Sequence, residues 1–187
     1  KEQDLDPLGK FKQLETLVRG LFDKKRLLDF IRSFCVFEEE GEIIKKIAAY
    51  HQFHAVNNSL EKVVEASKPY GDRKGGVVWH TQGAGKSIEM ACLAGKLLTD
   101  KRLQNPTLVM VTDRQDLDGQ LFCVFTGSGD LLGEKPKQAE SRKDLRDLLD
   151  NRPSGGIIFT TIQKFATEVD EEKFPALTDR KNIIVIC

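Results

Sequence analysis

The apolar positions change rhythm part-way along the chain. Over residues 8–33 they recur at three- and four-residue steps, through Leu8, Phe11, Leu14, Leu17, Val18, Leu21 and Phe22. That is the spacing of one helix face. Gly20 and Asp23 divide the stretch, and its second piece runs from Lys24 to Phe34. Cys35-Val36-Phe37 reads as a short strand, ended by Glu38-Glu39-Glu40-Gly41. Glu42 to Ser67 then reads as one long helix on Ile43, Ile44, Ile47, Ala48, Ala55, Leu60, Val63 and Val64, with a weak point at Asn57-Asn58-Ser59. Lys68 to Gly75 holds Pro69, Gly71 and Gly75 and is predicted as a loop.

From Gly76 onward short apolar runs alternate with helical stretches. Strands are predicted at 76–79, 107–112, 156–160 and 182–187, and helices at 86–98, 114–122 and 141–150. Such alternation predicts an α/β fold with a mainly parallel sheet flanked by helices. Ser141-Arg142-Lys143-Asp144 has capping-box form ahead of Leu145, Leu148 and Leu149. Residues 126–138, rich in Gly, Lys and Asp, are predicted as a surface loop. Two regions follow: 1–67, helical apart from one short strand, and 76–187, a nucleotide-binding α/β core. The final run Ile183-Ile184-Val185-Ile186-Cys187 is fully apolar. Open sheets of this class carry chemical groups just past their strand ends, so the core is expected to be incomplete at that point.

The candidate chemistry lies between a predicted strand and a predicted helix. Gly76-Val77-Val78-Trp79 runs directly into His80-Thr81-Gln82-Gly83-Ala84-Gly85-Lys86-Ser87. A polyphosphate needs consecutive backbone N–H groups turned inward, and glycine allows the close approach. The helix behind adds the positive end of its dipole. In this pattern Lys86 reaches the β- and γ-phosphates and the Ser87 hydroxyl ligates Mg²⁺. The general pattern has glycine at its first position, where this chain has His80; an ordinary glycine turn is the plain alternative. His80 is expected to be a strand-end residue facing the loop rather than a base, and Trp79 to pack in the core.

Composition narrows the picture. The chain has 187 residues, 40% hydrophobic and 31% charged, which suits a globular domain. A formal net charge of +0 excludes bulk attraction to nucleic acid, so any DNA contact rests on local patches. No run approaches the length of a membrane span, and no leader pattern is visible. Cys35, Cys92, Cys123 and Cys187 match no zinc spacing and read as buried thiols of a cytoplasmic protein. His51 and His54 stand three apart on a predicted helix without a second ligand pair, so no metal site is expected there.

Four segments together resemble the motor (R) subunit of type I restriction enzymes. Gly75 to Ser87 is similar to that family's version of helicase motif I, which accounts for His80. Val111-Thr112-Asp113-Arg114-Gln115-Asp116-Leu117-Asp118-Gly119-Gln120-Leu121 resembles its motif Ia. Ile158-Phe159-Thr160-Thr161-Ile162-Gln163-Lys164-Phe165 resembles the next strand-end motif. Ala49-Tyr50-His51-Gln52-Phe53-His54-Ala55-Val56 resembles the segment ahead of the motor that plays the part of a Q motif. The last apolar run matches the strand leading into the acidic Asp-Glu-Ala-His box.

The resemblance implies the first of two RecA-like lobes of an ATP-dependent translocase, using ATP and Mg²⁺. It implies a parent type I site-specific deoxyribonuclease that couples ATP hydrolysis to movement along double-stranded DNA. In the family a nuclease domain precedes this region and a second lobe follows. Methyltransferase (M) and specificity (S) subunits complete the complex, and the specificity subunit reads the DNA sequence. Thr81, Gln82, Gly83, Ala84, Gly85, Lys86 and Ser87 would hold the phosphates and metal, with Lys86 the catalytic residue. Gln52 would hydrogen-bond the adenine edge, a task suited to an amide that both donates and accepts; a surface glutamine is the alternative. Arg114, Gln120, Thr160, Thr161 and Lys164 would touch DNA phosphates, which suits a motor indifferent to sequence. Asp113, Asp116 and Asp118 oppose simple phosphate attraction, and pairing of Arg114 with one of them is the alternative. The family's acidic pair and arginine fingers are absent from these residues, so this piece is expected to bind nucleotide weakly and hydrolyse it negligibly.

Two other readings use the same residues differently. A small-molecule kinase needs a lid with arginines, for which Arg142, Arg146 and Arg152 are candidates, although their acidic neighbours suit a solvated face. A non-hydrolysing module would use residues 1–67 as a helical docking surface beside a vestigial nucleotide site.

Overall fold

The computed structural model of the chain describes residues 13–40, 42–113, 115–165 and 176–187. Helices α1 (Gln13–Leu21) and α2 (Lys24–Ser33) come first, divided at Asp23 as the sequence predicts, while Gly20 stays inside α1. Asp23 caps α2, its carboxylate accepting from the Arg26 N–H at 3.1 Å. An antiparallel hairpin follows, β1 (Cys35–Glu40) with β2 (Glu42–Ile47), in the register Cys35↔Ile47 and Phe37↔Lys45. Helix α3 spans Tyr50–Ser67.

The hairpin corrects the expectation of one helix from Glu42 to Ser67. Ile43, Ile44, Ile47 and Ala48 satisfy helical spacing, but a run this short cannot separate the two periods. Its β-branched side chains favour a strand, and Cys35–Glu40 supplies the hydrogen-bonding partner. The extended backbone of Ala49 (ψ 163°) then starts α3 afresh. Asn57-Asn58-Ser59 does not split that helix. Asn57 is satisfied within the fold, donating to the Phe53 carbonyl at 3.0 Å and accepting from Lys96 Nζ at 2.7 Å.

The second region holds α4 (Lys86–Thr99), β3 (Thr107–Thr112), α5 (Gln115–Gly127), α6 (Gly129–Leu132), β4 (Lys137–Gln138), α7 (Arg142–Asp150), β5 (Ile157–Thr161) and β6 (Ile183–Ile186). The last four strands form one parallel sheet in the order β4-β5-β3-β6. Both faces are covered, which explains why the apolar residues of β3 (Leu108 to Val111) and β5 (Ile157 to Phe159) run consecutively rather than alternating. Leu108, Met110, Ile157 and Phe159 pack with Ala91, Ala94 and Leu97 of α4 and Phe125 of α5. On the other face Val109 and Ile158 meet Leu145 and Leu149 of α7. Ser141 caps α7, its hydroxyl accepting from the Asp144 N–H at 3.1 Å.

A third cluster, of Phe34, Val36, Ala48, Val56 and Cys92, fastens α2, the hairpin and α3 to the outside of α4. Lys96 reinforces it. Its ammonium donates to both Asp29 oxygens at 2.6 and 2.7 Å and lies 5.1 Å over the Phe34 ring. The outward faces of α1 and α2 keep Leu14, Leu17, Leu28 and Ile31 exposed, and Phe22 is exposed in the turn between them.

Three further expectations change. Residues 126–138 are not an open loop: α5 continues to Gly127, and α6 and β4 follow, with Leu132 buried in the core. Cys92 is buried, and burial pushes its thiol up to about 12, but Cys35 is half-buried and Cys123 and Cys187 are exposed. The predicted strand 76–79 does not form. A strand exists only with a hydrogen-bonded partner. β6, whose residues share a groove with Gly75, pairs among the described residues with β3 alone, and Gly76 (φ 115°) turns the chain out of strand geometry. Val77 is therefore 92% exposed, and Trp79, expected in the core, is 88% exposed.

Candidate nucleotide site

The loop between Trp79 and α4 is folded into a cradle. Gly83 (φ 80°) and Gly85 (φ 75°) adopt the left-handed conformation, and Gly85 is the N-cap of α4. Thr81 accepts from the Ala84 N–H at 3.3 Å, closing a turn, and Gly85 O accepts from Ile88 and Glu89 as the helix starts. The amides of Gly83, Gly85, Lys86 and Ser87 donate to no backbone carbonyl among the described residues. Four unspent donors at a helix N-terminus fit a polyphosphate. The side chains of Thr81, Gln82, Lys86 and Ser87 are exposed on the same loop, within reach of such an anion. A hydroxyl at Ser87, in the first turn, is a hard oxygen donor of the kind Mg²⁺ takes. The donor set thus fits a magnesium–nucleotide complex.

The loop is held from behind. Gln52 is buried near the start of α3, and its amide nitrogen donates to Ala84 O at 3.0 Å and Gly85 O at 2.9 Å. Its amide oxygen accepts from the Ala49 N–H at 2.7 Å. The adenine contact expected of Gln52 has this competing use of the same amide beside it. The amide hydrogens are spent on the loop, and an adenine acceptor would have to displace a loop carbonyl. Gly85 makes this approach possible: a Cβ there would stand 2.6 Å from Gln52 Nε2. His51 adds a longer contact, Nε2 to Ala84 O at 3.4 Å.

Sequence reasoning missed one partner. His80 faces the loop as expected, but its Nδ1 lies 2.8 Å from Oε2 of Glu89, which is 5% exposed. The available signal was a carboxylate among the apolar residues Ile88, Met90, Ala91 and Cys92 of α4. Its pairing with His80 depends on how the loop folds back.

The predicted DNA-facing residues divide. Arg114 lies outside the described residues. Gln120 is exposed on α5, and Lys164 is half-buried on the 3-10 turn Ile162–Phe165 that follows β5. Gln163 of that turn donates to Asp113 O at 2.8 Å, joining the carboxyl ends of β5 and β3. Thr160 and Thr161, expected to touch phosphates, are 0% and 3% exposed in this structure. β5 is an inner strand covered on both faces, so its side chains are core even at the strand end. The arginines considered for a kinase lid sit across the sheet from α4, on or just after α7, and Arg152 pairs with Glu134 at 3.1 Å.

Comparison with known proteins agrees with this geometry. The chain is 52% identical over 176 residues to the type I restriction enzyme HindI endonuclease subunit of Haemophilus influenzae, covering 93% of this chain and 17% of that protein. It is 42% identical over 180 residues to a Methanocaldococcus jannaschii protein provisionally named the type I restriction enzyme MjaIXP endonuclease subunit, covering 94% and 16%. A Staphylococcus aureus (strain COL) relative, the type I restriction enzyme SauCOLORF180P endonuclease subunit, is 26% identical over 156 residues, covering 83% and 15%. The chain therefore spans about one sixth of the length of these relatives. The resemblance to restriction-enzyme motor subunits, drawn from four motifs, is borne out, as is the α/β core. Residues 51–187, from Gln52's helix through the phosphate loop to β6, match the SWI2/SNF2 ATPase family, and the chain belongs to it.

Proposed function

We propose that this chain is the ATP-binding part of a motor that drives a type I restriction endonuclease along double-stranded DNA. Residues 76–187 would form the first ATP-binding lobe, and residues 1–67 the layer joining it to a nuclease domain. The observation that carries the reading is the cradle of four unspent amides, those of Gly83, Gly85, Lys86 and Ser87. Phosphoryl transfer asks a protein for positioning and charge neutralisation rather than covalent chemistry. The amides of Gly83, Gly85, Lys86 and Ser87 would grip the phosphate oxygens, with Thr81, Gln82 and Ala84 shaping the rim. The Lys86 ammonium would neutralise charge developing between the β- and γ-phosphates. Mg²⁺, held in part by Ser87, would supply further charge neutralisation when bound. Gln52 would keep the loop carbonyls turned away from the anion.

Arg114, Gln120 and Lys164 remain the proposed phosphate contacts to DNA; Gln120 is exposed on α5 and Lys164 follows the carboxyl end of β5. Methyltransferase and specificity subunits are the proposed partners, the latter choosing the DNA site.

The test measures ATP affinity and DNA-stimulated ATP turnover in the full polypeptide, with and without Lys86→Ala. Loss of a charge-assisted phosphate contact is expected to weaken binding at least about tenfold and to abolish turnover. Unchanged affinity in Lys86→Ala would overturn the nucleotide-site reading. Turnover indifferent to DNA would overturn the motor reading.

A further inference from the structure

The phosphate-loop pattern has a histidine where its first glycine belongs, and this histidine has a buried carboxylate as its partner. We propose that His80 and Glu89 are a positioning pair that locks the loop into its phosphate-binding shape before nucleotide arrives. The inference rests on the nucleotide-site reading and extends it to two residues outside the cradle.

Geometry and cost both support it. The contact spans a separation of nine residues and ties the first loop position to the first turn of α4. Both ends of the loop are thereby joined across its back. Gln52 holds the middle through Ala84 O and Gly85 O, and the His51 ring stands edge-on to His80 at 5.0 Å. A loop ordered in advance does not spend binding energy on ordering itself. Glu89 also needs a partner on its own account, because a buried carboxylate without one is costly. Among the described residues its carboxylate is hydrogen-bonded to His80 alone. A carboxylate accepts and does not donate, so the contact requires the hydrogen on Nδ1.

Position sharpens the argument. Glu89 sits in the first turn of α4, in the positive field that attracts phosphate. Unpaired, it would compete for the same amides and repel the incoming anion. His80 keeps it turned away. The two substitutions therefore differ in effect: removing His80 frees a competing charge, whereas removing Glu89 loses only the tie.

Affinity for magnesium–ATP in the full polypeptide tests this, with thermal melting to confirm folding. His80→Ala is expected to weaken binding about tenfold, the scale of one charge-assisted hydrogen bond. Glu89→Ala is expected to weaken it less, and the double variant to return to the Glu89→Ala level. His80→Asn, whose amide nitrogen stands near the place of Nδ1, is expected to recover most of the affinity. Glu89→Gln keeps the side-chain volume and replaces Glu89→Ala should that variant fail to fold. The proposal is overturned if the two losses simply add, or if His80→Ala binds like the unaltered chain while Lys86→Ala does not. If Lys86→Ala also leaves affinity unchanged, it is the nucleotide-site reading that falls.

Discussion

Two apolar runs, 107–112 and 76–79, meet different ends. Thr107–Thr112 is a strand paired on both sides, with Leu108 and Met110 buried in the core. Residues 76–79 pair with nothing among the described residues and leave Val77 and Trp79 in water. Even so, the loop after the unpaired run is fully formed. Its shape is therefore not inherited from a strand ahead of it. It comes from left-handed glycines within and from Gln52, His80 and Glu89 behind. A site of this kind tolerates a loose approach because its geometry is fixed by ties to two helices.

That contrast can be broken at several strengths. The largest effect is expected in the paired region. Phe159, fully buried against Phe122 and Phe125, should cost about 3–5 kcal/mol on replacement by Ala, read from urea unfolding. Gln52→Ala comes next. It strips hydrogen bonds from two loop carbonyls and the Ala49 N–H, and about 1–3 kcal/mol of stability should go with a clear drop in ATP affinity. If stability falls while affinity holds, the loop does not depend on its ties.

Gly85→Ala is expected to cost about 1–2 kcal/mol, since an L side chain resists the left-handed region and the new Cβ displaces Gln52. Its affinity loss should match that of Gln52→Ala, because both disturb one contact.

A smaller effect belongs to the turn ahead of β3. Arg102 bonds Asp100 and Glu61 of α3, and its guanidinium holds both carboxyls below their usual range. Folded-state pKa values below the unfolded ones give stability that is present above about pH 4 and lost as pH falls through the lowered values. With Arg102 and Glu61 about half exposed, water screens the network, so Arg102→Ala should cost about 0.5–1 kcal/mol at pH 7. The difference should vanish in acid unfolding at low pH. The smallest effect is Trp79→Ala, expected to stay within about 0.5 kcal/mol because the indole has almost no packing to lose. A larger loss would mean that the unpaired run holds the loop after all.

Local pattern determined a good deal of this protein. The break at Asp23, the cap at Ser141, the helix after Lys86 and the apolar strands β3, β5 and β6 all follow from neighbours within a few residues. The cradle does so only in part: its left-handed glycines and free helix amides are local, whereas Gln52 holds it from more than thirty residues away. Other features depended on what stands across from a residue in space. Ile43 and Ile44 became strand because Cys35–Glu40 lay beside them, and 76–79 did not because no strand did. Thr160 and Thr161 were buried by helices distant in sequence, and Gln52 was drawn to Ala84 and Gly85 rather than left free. Hydrogen bonds and burial between remote segments exist only once the chain is packed, and the order of residues carries no direct record of them.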